Sequence, residues 1–267
     1  MPYVTNGDAE IFYEDVGTGP LLIAAHGMMS PGYWTISGVA GVLGLRHRVV
    51  SFDLRGHGRT RANGGFDVET MASDIGALAD HLGAERFNLL GHATGGIVAL
   101  RYAMRHSDRL DNLIVMDCAA QTAPMPPEHF AAQASLIGST NPQEMFATMR
   151  RSKAGFFFET LDNPQVPSSA SYMVTQMFAG NDPKSLGRFM LSFFADIDPH
   201  DHLLEQIACR TLCAVGEHDV AFVEAVRHVA GAIRDAQFRS LEGTGHMTAF
   251  ENARQTIEMI EEFLALG

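Results

Sequence analysis

An alternation of strand-like and helical stretches, broken once and then resumed, constrains the fold of this chain more than any other feature. "PLLIAAHGMM" and "HRVVSFDL" read as buried strands; helical "VETMASDIGALADHLG", strand "RFNLLG", a helix from Gly95 to His106 and strand "LDNLIVMD" follow in turn. Ahead of them "AEIFYEDVG" alternates weakly, as one arm of a hairpin does. Strands alternating with helices imply right-handed crossovers, so the pattern predicts a mostly parallel sheet with helices on both faces. The pattern stops after Ala119 and returns near His202 with strand "RTLCAVGEHD", helix "AFVEAVRHVAGAI", strand "AQFRSLEG" and closing helix "ARQTIEMIEEFLAL". Between those points no strand is predicted. Met125, Met145, Met149, Met173, Met177 and Met190 lie there, together with more than half of the chain's 17 phenylalanines. The expected organisation is a core of residues 1–118 and 203–267 interrupted by a helical insertion, 119–202. With 267 residues, 46% of them hydrophobic, a single large core is within reach.

Charge and composition exclude several roles. A formal net charge of −12 disfavours binding to a phosphate backbone, which depends on neutralisation by Lys and Arg, so no nucleic-acid partner is expected. No apolar run approaches the roughly 18 residues that span a bilayer, and "MPYVTNGDAE" has neither a basic nor an apolar leader region. These readings predict a cytoplasmic protein without a membrane partner. Cys118, Cys209 and Cys213 are expected to be reduced and buried. A homodimer is left open.

The stretch "NLLGHATGGIVALRYAMRHSDRL" carries the chemistry. It reads as a buried strand, a tight glycine-rich turn and a helix. Gly91, Gly95 and Gly96 flank a position that such a turn pushes into a pocket, yet that position is Ala93, whose methyl can neither attack a carbonyl nor move a proton.

Taken with "HGMMS", "DLRGHGRT", "GHATGG", "GEHD" and "GTGHMTAFEN", in that order and spacing, the chain resembles the α/β-hydrolase superfamily over nearly its whole length. The resemblance implies an α/β-hydrolase fold, a mostly parallel eight-stranded sheet with helices on both faces and a helical lid insertion. It places the nucleophile position at Ala93, the acid at Asp219 and the general base at His246. A histidine titrates near neutral pH and can take and return a proton, while a buried carboxylate orients it. The backbone N–H groups of Met28 and Thr94 would form the oxyanion hole. In the insertion, Phe130, Met149, Phe157 and Met177 are expected to give the substrate an apolar wall, with His92 beside the elbow as a further pocket residue.

Other candidates have a plainer reading. His26, His57 and His92 each sit beside a glycine in a turn and are expected to make structural hydrogen bonds, although His92 could also touch the pocket. Ser30 lacks the elbow, and Asp117 at the end of the sixth strand is a second acid position. The cluster Asp196, Asp198, His200, Asp201 and His202 has metal-ligand types but falls where the insertion rejoins the core; it reads as a solvated hinge, and neither metal nor cofactor is expected.

The expected partner is a small, partly hydrophobic molecule, and the expected reaction is hydrolysis of a carboxylic ester or lactone. Carbon-carbon cleavage of ring-fission products uses the same groups and remains an alternative. Ala93 itself admits two explanations. Either a serine hydrolase has lost its nucleophile, or alanine is native and His246 activates water directly. A binding protein without catalysis is the third reading.

Overall fold

The computed structural model describes residues 2–121, 141–151, 153–195 and 200–265, with backbone alone at 142 and 153–157. Eight strands form one sheet: β1 (Tyr3–Asn6), β2 (Ala9–Val16), β3 (Leu21–Ala25), β4 (Arg48–Phe52), β5 (Phe87–His92), β6 (Leu110–Met116), β7 (Arg210–Gly216) and β8 (Gln237–Leu241). Their order across the sheet is β1-β2-β4-β3-β5-β6-β7-β8. β2 runs against both of its neighbours, and every pairing from β4 to β8 is parallel.

The central strands are continuous apolar runs because helices cover both faces. All six residues of β5 are buried, as are the last six of β7. Helices Val68–His81, Thr94–His106, Val223–Ala232 and Ala253–Ala265 supply the cover; three of them bury residues at helical spacing, while Thr94–His106 is buried without a break from Thr94 to Met104. Asp67 caps the first of them, its carboxylate accepting from the N–H of Thr70 at 2.8 Å. Three short helices, Tyr33–Ile36, Val39–Leu43 and Thr248–Glu251, were not predicted from the sequence. At four or five residues they are too short for a periodic pattern, and tertiary contacts hold them.

Between β6 and β7 the described residues form helices Pro142–Arg151, Ala170–Ala179 and Pro183–Phe193, with a 3-10 stretch at Lys153–Asp162. A second 3-10 stretch, Asp201–Gln206, leads back to β7. This region packs on loops that leave the carboxyl ends of the core strands. Asn181 donates to the carbonyl of Met29 at 2.9 Å and accepts from the N–H of Gly58 at 3.3 Å, so one buried side chain ties it to the loops after β3 and β4. Phe189 meets the ring of His57 edge-on, centroids 4.6 Å apart. Phe146, Phe158 and Phe178 pack edge-to-face on one another, giving the region an aromatic core of its own.

The predicted hinge differs in part. His200 is buried and lies 2.6 Å from an Arg101 guanidinium nitrogen, so it belongs to the packed interior rather than to solvent. Asp201 and His202 are exposed, and Asp196 and Asp198 lie outside the described residues. Cys118 and Cys213 are free and buried, and Cys209 is free and half-buried.

Candidate active site

The site begins at the end of β5. Ala93 follows the strand with φ 49° and ψ −115°, a positive-φ conformation that an L-residue adopts only under constraint. Its N–H donates to the Met116 carbonyl of β6 at 2.9 Å, and its own carbonyl accepts from Gly96 and Ile97, opening the helix Thr94–His106. The glycines are obligatory for steric reasons. A Cβ on Gly95 would lie 2.5 Å from the His26 carbonyl, and one on Gly96 would lie 2.5 Å from Cys118 Sγ. Elbow and "HG" loop therefore meet backbone to backbone. A Cβ on Gly27 would likewise lie 3.1 Å from that of Ala93, which brings the Gly27–Met28 peptide to the elbow.

Thr94 is the first residue of its helix, where N–H groups have no intrahelical acceptor. Thr94 is buried and Met28 is half-buried. Ser30 turns its hydroxyl away, donating to the Met28 carbonyl at 3.0 Å.

The acid and base come from the loops after β7 and β8. His246 Nδ1 lies 2.7 Å from Asp219 Oδ2; the carboxylate side chain is fully buried and the imidazole is 12% exposed. Backbone bonds register the two loops: His218 N–H donates to Thr244 O at 2.8 Å, and Glu217 N–H to Leu241 O at 3.0 Å. Phe222, three residues beyond Asp219, stacks on the His246 ring at 5.2 Å. The sequence reading did not single out Phe222, although its position one turn after the acid was a usable signal.

Asp117, the second acid position, is also fully buried and sits at φ 52°. Its Oδ1 accepts from the Gly216 N–H at 2.8 Å and its Oδ2 from the Thr248 hydroxyl at 3.1 Å. Burial, reinforced by the neighbouring Asp219 charge, holds its carboxyl well above the usual carboxylate range. Of the two acids, Asp219 is the one bonded to the imidazole.

The other histidines near the strand ends are neutral and hydrogen-bonded to backbone groups. His26 accepts from the Leu54 N–H and donates to the Gly27 carbonyl, and burial lowers its pKa well below the ordinary value. Burial brings His57 down to about 4, its Nδ1 donating to the Arg55 carbonyl. His92, expected in the pocket wall, is 1% exposed; its Nε2 donates to the His246 carbonyl at 2.8 Å and its ring stacks on Tyr33 at 4.3 Å. Burial brings it down to about 3.

Of the predicted apolar wall, Met177 is buried and Met149 is half-buried against the core. Phe130 and the side chain of Phe157 lie outside the described residues.

Comparison with known proteins agrees with this architecture. Over 109 residues, 40% of this chain and 39% of the relative, the sequence is 39% identical to a non-heme haloperoxidase of Rhodococcus erythropolis. The chain spans between 39% and 53% of the length of the first curated relatives it matches. Among solved structures it is similar to the enol-lactonase from Burkholderia xenovorans LB400, with a TM-score of 0.85 at 22% identity over 99% of this chain and 100% of that one. It is also similar to a thermophilic esterase from Thermogutta terrifontis, with a TM-score of 0.84 at 26% identity over 99% and 97%. The model of the alpha/beta hydrolase fold family matches residues 20–253, and the chain therefore belongs to that family.

Proposed function

We propose that this protein is a hydrolase of carboxylic esters or lactones with an apolar moiety, in which His246 is the base, Asp219 orients it, and Ala93 occupies the nucleophile position. One observation carries the reading: a histidine bonded at 2.7 Å to a fully buried carboxylate, on a loop that the residue preceding the strained elbow holds by a hydrogen bond of 2.8 Å. A carbonyl substrate would lie with its oxygen towards the N–H groups of Met28 and Thr94, donors that stabilise the negative charge developing there. Asp219 accepts from Nδ1, so the Nε2 lone pair is available to take a proton.

With alanine at the elbow, Nε2 takes a proton from water as the water oxygen adds to the carbonyl carbon. The tetrahedral intermediate then breaks its bond to the alcohol oxygen, which takes that proton from Nε2, and the carboxylic acid is left. With serine there, Oγ would add first and give its proton to Nε2. The proton would then pass to the departing alcohol, and water would release the acyl group. Residues 119–202 act as a lid in this reading. It is supported by the Asn181 and Phe189 contacts on the loops at the carboxyl ends of β3 and β4, where open α/β sheets bind ligands.

The test is Ala93→Ser. Removing the serine from a comparable triad costs on the order of 10⁶ in turnover, so a gain of about a thousandfold or more on a short aryl ester is the expected result. A covalent mass adduct on residue 93 with a fluorophosphonate should accompany it. A folded serine variant that gains neither rate nor adduct would overturn the serine-type reading. Slow turnover by the Ala93 protein, abolished by His246→Ala, would then identify a water-activating enzyme.

A further inference from the structure

Two buried side chains grip one peptide group. The peptide joining His246 to Met247 presents its carbonyl to His92 Nε2 at 2.8 Å, and its N–H donates to Glu251 Oε1 at 3.1 Å. On the other side of His246, the N–H of Gly245 donates to Glu251 Oε2. A peptide unit is planar, so bonds at both of its ends fix its orientation. The backbone of His246 is thereby held from both sides, while Asp219 fixes the ring.

Glu251 is 3% exposed, and burial raises its carboxyl above the ordinary range. A carboxylate in that position depends on its donors. Beyond the two N–H groups, Oε1 accepts from the Thr160 hydroxyl at 2.8 Å. Thr160 belongs to the 3-10 stretch Lys153–Asp162 of the inserted region, while Glu251 belongs to the core. Approach at this point is close: a Cβ on Gly245 would collide with the Thr160 side chain. The Thr160 hydroxyl thus joins the inserted region to the loop that carries the imidazole.

We infer that Glu251 is a positioning residue for His246, and that Thr160 couples the docking of the inserted region to the placement of the base. The inference rests on the assignment of His246 as base. It explains a buried carboxylate that the hydrolytic chemistry does not use. It also predicts that the insertion influences turnover through one hydroxyl, independently of any contact it makes with substrate.

The first measurement uses the protein with Ala93 in place. The proton on His246 Nδ1, shared with Asp219, should give a downfield imidazole resonance in the proton NMR spectrum, assigned by its disappearance in His246→Ala. Thr160→Val keeps the shape of the side chain and removes the donor. Glu251→Gln sets an amide N–H against a backbone N–H. Both should broaden or abolish the resonance, and Thr160→Ser should preserve it. In the Ala93→Ser background, Thr160→Val should lower kcat by about tenfold, with KM within about twofold, because small displacements of a catalytic group cost rate rather than ground-state binding. Thr160→Ser should stay at the parent value. If Thr160→Val and Glu251→Gln lower only the melting temperature and leave the resonance and kcat at parent values, the inference is overturned. Should Glu251→Gln fail to fold, Thr160→Val decides alone. An inactive Ala93→Ser parent would count against the hydrolase reading, and the resonance would still decide the positioning of His246.

Discussion

At the scale of single residues, the site is defined by how differently two buried carboxylates are used. Asp219 offers Oδ2 to His246, while its Oδ1 has no hydrogen-bond partner among the described residues. Asp117 instead accepts from a backbone N–H and a hydroxyl, and burial together with the neighbouring Asp219 charge disfavours its ionisation. Replacing Asp219 by Asn should therefore separate activity from stability. An amide can present N–H to Nδ1 and so favour the tautomer whose Nε2 is already protonated, which costs about 10⁴ in turnover in triad enzymes. Removing the buried Asp219 charge, which disfavours ionisation of Asp117, should leave the melting temperature unchanged or raised. The check is to measure Asp219→Asn in the Ala93→Ser background for ester turnover and by thermal unfolding. A loss of less than tenfold would remove Asp219 from its role.

At the scale of elements, the elbow is a junction of β3, β5, β6 and the helix Thr94–His106, and its glycines are there to let backbones touch. Gly95 shows this most plainly, because a Cβ would meet the His26 carbonyl at 2.5 Å and the Ala25 carbonyl carbon at 2.7 Å, both at the end of β3. Those atoms belong to a central strand and cannot swing aside. Gly95→Ala should cost about 2 kcal/mol. In a chain of this size that lowers the melting temperature by about 5 °C. Gly41, inside the short helix Val39–Leu43, provides the contrast, since a Cβ there meets nothing within 4 Å. Gly41→Ala should be neutral or stabilising by up to about 1 kcal/mol, through helix propensity alone. Thermal unfolding of both variants tests the pair. Equal effects would mean that backbone approach at Gly95 does not limit the fold.

At the scale of the molecule, the helices inserted between β6 and β7 pack on the loops after β3 and β4. The inserted region is apolar inside: Met145, Phe146, Phe158, Met177, Phe178 and Phe189 are all buried. If this region forms the wall facing the substrate, affinity should grow with acyl or aryl size. Each methylene buried contributes about 0.8 kcal/mol, or close to fourfold. A series of esters from acetate to hexanoate, measured by binding to the Ala93 protein, examines this without turnover. Affinity that is flat or falling along the series would assign the aromatic cluster to internal packing.

The sequence by itself determined the order of strands and helices and the place of the elbow. Strands buried on both faces need unbroken apolar runs, and a turn too tight for side chains needs glycine. "RFNLLG" and "RTLCAVG" match β5 and β7 for the first reason, and Gly91, Gly95 and Gly96 mark the turn for the second. Asp219 and His246 were also legible, because each sits in a short motif at the end of a strand. What only the tertiary structure decided is how the loops meet. A structural hydrogen bond was expected of His92 but its partner was not: its Nε2 reaches His246, 154 positions away, and Glu251 collects donors from its own loop and from Thr160, 91 positions away. Neither partner is marked by spacing or periodicity, since a hydrogen bond between loops depends on where the sheet edge brings two backbones. His200 shows the same limit: beside Asp201 and His202 it reads as solvated, and the guanidinium of Arg101, 99 positions earlier, draws it inside. Local sequence carries the period of each element, whereas burial of a polar side chain is set by partners that only the assembled fold brings within reach.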